Sequence, residues 1–254
     1  MCRLAAWLGS DVALEDIIVK PTHSLIEQSQ NANEAKLAVN GDGFGFAWYD
    51  EHGKLGLYRD VLPAWTDGNL PCLAAMIRSK LFVAHVRAST FGPVSRSNCH
   101  PFTSGRWSFV HNGQIADFGS CKRQLEATLS DDRYVERAGN TDSELMFLLL
   151  LDNGLDEDVQ GACEKVLTLL AQATEDSDKP TRIASVFSDG DHLYALRFSS
   201  DTNSPSLYVS RREQGDLMMA SEPLDDTSDT WDPVPESTLL IADNSDIASH
   251  TINI

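Results

Sequence analysis

A cysteine directly after the initiator methionine can become a chain terminus that does chemistry. Removal of Met1 leaves Cys2 with a thiol and a free α-amine on one residue. A thiol titrates at about 8.5 and an α-amine at about 7.7–8.0, so part of the amine is neutral near physiological pH and can take the thiol proton. Nucleophile and base are then held in fixed proximity. Position alone is weak ground, because any chain can carry Cys after Met by chance.

Other residues acquire meaning beside it. In His111-Asn112-Gly113, an Asn amide and the next backbone N–H can converge on one point, as an oxyanion hole requires. Taken alone, Asn-Gly reads as a plain turn. Arg87 ends the apolar run Phe82–Val86 and can grip a carboxylate through two parallel N–H donors. A surface ion pair is the plainer reading of a lone Arg. Asp142 opens a helical pattern and can face an ammonium, or simply favour the helix N-terminus. Gly41-Asp42-Gly43-Phe44-Gly45 precedes a strand pattern and has neither the spacing nor the Lys of a phosphate-binding loop. His85, His100 and His111 lack metal-ligand spacing, so no metal site is expected.

These residues need elements to hold them. Arg3–Leu8 reads as a strand and Val12–Val19 as a short helix capped by Asp11. Phe44–Tyr49 and Leu55–Arg59 read as a hairpin around Asp50-Glu51-His52-Gly53. Leu70–Ser79 reads as a helix, and Leu81–Arg87 and Trp107–His111 as strands. Between those strands Ala88–Arg106 is rich in Ser, Gly, Pro and Asn and reads as a long, mobile functional loop. Gln124–Leu129, Thr141–Leu151 and Val159–Gln172 show helical spacing, and Thr141 with Glu144 has the spacing of a capping box. Ile183–Phe187 and Leu193–Phe198 flank Ser188-Asp189-Gly190-Asp191 as a second hairpin. Short strands follow at Leu207–Ser210, Leu217–Ala220 and Leu239–Ala242. Asp225–Glu236 reads as an acidic surface loop. Strands, then helices, then strands again favour an α+β layered fold with mostly antiparallel sheets.

The bulk properties exclude several classes. A net charge of −18 over 254 residues argues against binding nucleic acid, which needs clustered Lys and Arg. No apolar run is long enough to span a bilayer and no signal peptide is legible, so the expected location is cytoplasmic. Five cysteines without a Cys-x-x-Cys pair argue against a disulfide framework or structural zinc.

Each chemical signal is weak alone, but their order is specific. Met1-Cys2-Arg3, Gly41–Gly45, Ala84-His85-Val86-Arg87 with Thr90 and Gly92, Val110-His111-Asn112-Gly113, and Asn140-Thr141-Asp142-Ser143-Glu144 occur in that sequence. The chain resembles the class II glutamine amidotransferases of the N-terminal-nucleophile hydrolase superfamily. Met219-Ala220-Ser221-Glu222-Pro223-Leu224 resembles the late strand and turn of their stand-alone branch, which includes the γ-glutamyl hydrolase of ergothioneine biosynthesis.

The resemblance implies a four-layer αββα sandwich occupying residues 1–254 as one domain, with no cofactor. It implies that Cys2 is the nucleophile and that Asn112 and Gly113 form the oxyanion hole. It implies that Arg87 and Thr90 hold the substrate α-carboxylate and Asp142 its α-ammonium. The expected reaction is hydrolysis of glutamine or a γ-glutamyl amide through a Cys2 thioester. Ala88 and Phe91 stand where fused family members carry Trp and His, so the pocket is expected to admit substrates larger than glutamine. The amidase fold is expected to take up the whole of this chain, leaving two readings of the leaving group: outright hydrolysis of a small-molecule conjugate, or ammonia delivery to a separate synthase partner. A non-catalytic ligand-binding relative is the third alternative, and a homo-oligomer stays open.

Overall fold

The computed structural model describes residues 2–32, 34, 39–89, 92–212, 215–227 and 230–254. Its strands are β1 (Arg3–Ala13), β2 (Phe44–Tyr49), β3 (Leu55–Asp60), β4 (Arg78–Val86), β5 (Phe102–Ser104), β6 (Trp107–Gln114), β7 (Arg182–Ser188), β8 (Leu193–Ser199), β9 (Tyr208–Arg211), β10 (Leu217–Ala220), β11 (Asp232–Pro233), β12 (Thr238–Ala242) and β13 (Ile247–Thr251). They form a seven-stranded sheet, β11-β9-β10-β1-β4-β2-β3, and a six-stranded sheet, β13-β12-β8-β7-β6-β5. Every pairing among the described residues is antiparallel.

Side-chain alternation builds the layers. Leu4, Ala6 and Leu8 of β1 meet Val110 of β6 and Val186 of β7 between the sheets. Ala5 and Trp7 turn outward and pack on α1 (Glu15–Ile18), α2 (Leu25–Gln30) and α3 (Leu70–Met76). On the other side Trp107 and Phe109 turn away from the sheet interface. They pack on α4 (Phe118–Glu126), α6 (Asp142–Asp152) and α7 (Val159–Ala173). The result is the four-layer αββα sandwich. Another short helix, α5 (Asp131–Glu136), has no buried residue. No helix among the described residues is long and apolar enough to cross a membrane.

Both expected hairpins form, as β2–β3 and β7–β8. The expected helix at Val12 does not. Val12 and Ala13 pair with Ser79 and Arg78 of β4, so β1 runs on to Ala13 and α1 begins only at Glu15. Asp11 caps no helix; its carboxylate binds Arg78 Nε at 2.7 Å. The third helix stops at Met76 because β4 starts at Arg78. The Ala88–Arg106 segment is not wholly irregular, since Phe102–Ser104 pairs with β6. Nor is Asp225–Glu236 merely surface: Trp231 and Val234 are buried.

Candidate active site

Cys2 sits one step beyond the Arg3↔Val86 pair, opposite Arg87. It continues the face of β1 that carries Leu4 and Ala6 into the sheet interface. Its Sγ accepts the Ala88 N–H at 3.4 Å and lies 3.5 Å from the Ala88 carbonyl. Burial pushes the thiol above its ordinary pKa, opposed by the Ala88 N–H and by the charges of Arg87 and Arg3. That shift favours the neutral thiol over the thiolate.

β6 brings the second group. Asn112 faces the sheet interface with Val110 and is fully buried, yet neither its Oδ1 nor its Nδ2 has a hydrogen-bond partner among the described residues. A buried amide left unsatisfied costs about 1–3 kcal/mol, so this one calls for a reason. At Gly113 an added Cβ would stand 2.0 Å from the Arg182 carbonyl oxygen and 2.5 Å from His111 Nε2. The close approach of β7 leaves room for glycine alone.

Arg87 is buried just past the end of β4. The glycine-rich segment holds it in strand register, with Arg87 N–H donating to Gly43 O at 2.8 Å and Asp42 N–H to Arg87 O at 2.9 Å. Its Nη2 donates to Ser89 Oγ at 3.0 Å, while Asp42 Oδ2 accepts the Ser89 N–H at 2.7 Å. Gly43 has φ +114°, and a Cβ there would meet Cys99 Sγ at 2.5 Å. That segment is thus a buttress for the arginine.

Asp142 is the first residue of α6, whose cap Thr141 accepts the Glu144 N–H at 3.2 Å. The reciprocal half of the expected capping box is absent: Glu144 reaches back instead to the N–H groups of Ala138 and Gly139. The Asp142 carboxylate accepts the Ser143 and Ile115 N–H groups at 2.9 and 3.0 Å. Cys2, Arg87, Gly113 and Asp142 line one cleft, together with His100 and His111. Asn112 lies buried behind that wall, and Thr90 and Phe91 lie outside the described residues.

Two buried histidines, His100 and His111, line the cleft, and buried His85 packs behind them. His85 Nε2–H donates to the His111 carbonyl at 3.2 Å, and the His85 and His100 rings lie 4.1 Å apart. Burial depresses His85 to about 3 and holds His100 well below the ordinary range. Burial also lowers His111, against the pull of Asp142; its Nδ1 meets Ser143 Oγ at 2.9 Å. No cluster of three or more His, Cys, Asp or Glu fit to hold a metal occurs among the described residues.

The model of the class-II glutamine amidotransferases matches residues 16–215. The chain belongs to that family. This amidotransferase is 32% identical to a probable glutamine amidotransferase of Saccharomyces cerevisiae, over 99% of this chain and 84% of the yeast protein. It is 31% identical to a gamma-glutamyl-hercynylcysteine sulfoxide hydrolase of Mycolicibacterium smegmatis, over 94% of this chain and 95% of that one. A glutamine aminotransferase class-II domain protein from Silicibacter pomeroyi superposes with TM-score 0.79, at 34% identity and full coverage of both chains. The Bacillus subtilis glutamine phosphoribosylpyrophosphate amidotransferase, at 16% identity, 50% of its length and TM-score 0.66, shares the fold. The amidotransferase is an enzyme, and its motif order pointed to the family correctly. Sequence reasoning did not single out Ser89 as a partner of Arg87, nor the ion pair of Arg3 with Glu222 at 2.8 Å. The first is two residues from its partner and open to inspection; the second joins residues 219 positions apart and carries no local signal.

Proposed function

We propose that this amidotransferase hydrolyses a γ-glutamyl amide, glutamine included, through a thioester on Cys2. The observation that carries the reading is the meeting of Cys2, Arg87, Gly113 and Asp142 on one cleft. With Met1 removed, the thiol passes its proton to the α-amine of the same residue. The thiolate adds to the γ-carbonyl, and the oxyanion takes hydrogen bonds from the Gly113 N–H and the Asn112 amide. The unmet amide of Asn112 has its reason in that role. The tetrahedral adduct collapses, and the leaving amine departs with the proton. Water, deprotonated by the α-amine, then cleaves the thioester and frees glutamate and the thiol.

The nearby histidines argue for the amine as base. A base works best with a pKa near the working pH. His85, at about 3, holds protons too weakly near neutrality, whereas an α-amine at about 7.7–8.0 is well matched. Arg87 with Thr90 takes the α-carboxylate and Asp142 the α-ammonium. These charged contacts fix an amino-acid head group and place the γ-carbonyl over Sγ.

Ala88 beside Cys2 supplies little bulk, which favours a conjugate larger than glutamine. The mycolicibacterial relative named for hydrolysing such a conjugate matches nearly end to end. That supports outright hydrolysis over ammonia delivery, with residues 1–254 acting as one unit. Intact mass after treatment with 6-diazo-5-oxo-norleucine tests the reading, with Cys2→Ala as control. Loss of Met1 and one adduct on Cys2 are expected. Retained Met1, or no adduct on folded protein, overturns it. Comparing glutamine with bulkier γ-glutamyl amides then tests the substrate class; strict preference for glutamine would sink the conjugate reading.

A further inference from the structure

A nucleophile at the end of a chain has a mechanical difficulty, because terminal residues fray unless something ties them down. The two sides of β1 are tied unequally. Toward β4 the ladder reaches the first residue of the strand, Arg3↔Val86. Toward β10 it stops at Ala5↔Ala220. The turn after β10 closes the gap with side chains. Ser221 Oγ accepts the Leu4 N–H at 3.0 Å, standing in for a strand carbonyl, and the Ser221 N–H donates to Leu4 O at 3.1 Å. Glu222 then binds Arg3 Nη1 at 2.8 Å, the two side chains being 4% and 0% exposed. Glu222 is itself fixed: its Oε1 accepts the Glu34 N–H at 2.8 Å, and its carbonyl accepts Gln28 Nε2 of α2 at 3.4 Å.

We propose that Ser221 and Glu222 are positioning residues that aim Cys2, acting through Leu4 and Arg3. The inference rests on Cys2 being the nucleophile. Cohesion alone does not explain the choice of residues. A buried ion pair repays its desolvation poorly, and well-packed apolar side chains of similar volume often stabilise as much or more. The charged pair and the hydroxyl add direction: they fix the strand's first two residues along the chain as well as against the sheet. The nucleophile, one residue further on, inherits that placement. A misplacement of about 1 Å can cost roughly 10²-fold in rate.

The test is the saturation kinetics of Cys2 alkylation by 6-diazo-5-oxo-norleucine, on chains shown by mass to lack Met1. Ser221→Ala removes one hydroxyl; Glu222→Gln keeps the shape and removes the charge. The maximal alkylation rate is expected to fall roughly 10–100-fold in each, with the half-saturating concentration within about twofold of wild type. A part played only in stability would move the melting temperature and leave the maximal rate alone. Wild-type rates in folded variants overturn the clamp and leave the nucleophile standing. So does a loss confined to the half-saturating concentration. If Glu222→Gln does not fold, Ser221→Ala decides. A wild-type chain that takes no adduct overturns the nucleophile reading, and the clamp with it.

Discussion

The Asp142 carboxylate accepts the backbone N–H of Ile115 at 3.0 Å, two residues beyond Gly113. The helix that presents the acid is thereby fastened to the strand that presents Gly113. Both oxygens serve the scaffold, Oδ2 accepting the Ile115 N–H and Oδ1 the Ser143 N–H, while the charge stays at the cleft. Asp142→Asn retains an oxygen for Ile115, removes the charge and takes the acceptor away from the Ser143 N–H. We expect stability lowered by about 1 kcal/mol, for the lost Ser143 contact, and KM for glutamine raised about 10–100-fold, as for a lost charge-assisted hydrogen bond worth about 1.5–3 kcal/mol. Steady-state kinetics with glutamine check this; an unchanged KM removes Asp142 from substrate binding.

Asn112 allows the proposed oxyanion role to be tested apart from stability. Its buried amide has no partner on either polar atom among the described residues, so truncation discards an unsatisfied group and leaves a small cavity. These effects oppose each other, and Asn112→Ala is expected to change stability by no more than about 1 kcal/mol. The rate is expected to fall about 10²–10³-fold, the usual cost of one lost oxyanion donor. Denaturant titration and kcat on the same preparation decide it. A rate near wild type would falsify the oxyanion role.

Gly113 and Gly68 form a matched pair for substitution by Ala. At Gly113 the new Cβ would meet backbone, the Arg182 carbonyl oxygen at 2.0 Å, which no rotamer relieves. At Gly68 nothing lies within 4 Å. Gly113→Ala is expected to destabilise by about 3 kcal/mol, the upper part of the usual overpacking range. Gly68→Ala should stay within about 0.5 kcal/mol. Equal melting temperatures for the two variants would contradict the close β6–β7 approach.

What the sequence revealed and what it concealed follow from the range of the forces involved. The two hairpins were legible because Asp50–Gly53 and Ser188–Asp191 carry their turn chemistry within a few residues. Val12 was misread because its apolar spacing suits a helix, while its partner in β4, Ser79, lies far along the chain. Pairing overrode local propensity there. Phe102–Ser104 escaped notice because so short an edge strand is defined by β6 alone. At the cleft, the motifs around Arg87, Gly113 and Asp142 named residues that the structure brings together, without telling how each is held. The Asp42–Ser89 contact and the Arg3–Glu222 pair join residues 47 and 219 positions apart. No periodicity reports such pairs.

The buried histidines couple the stability of the fold to pH. His85 titrates at about 3 in the folded chain, against an ordinary value of 6.5. Its folded pKa lies below its unfolded one, so between those values the unfolded chain binds the extra proton. Stability is then fully present above pH 6.5 and falls as pH drops toward 3, by about 1.4 kcal/mol per pH unit for one such group. His100 and His111 are shifted the same way by burial and steepen the loss. His85→Gln keeps a donor for the His111 carbonyl and cannot titrate. Its stability, measured by denaturant titration from pH 7 to pH 5, should decline more shallowly than wild type by close to one proton. Parallel slopes would mean that His85 takes up its proton in the folded state, and that the cleft is wetter than its burial indicates.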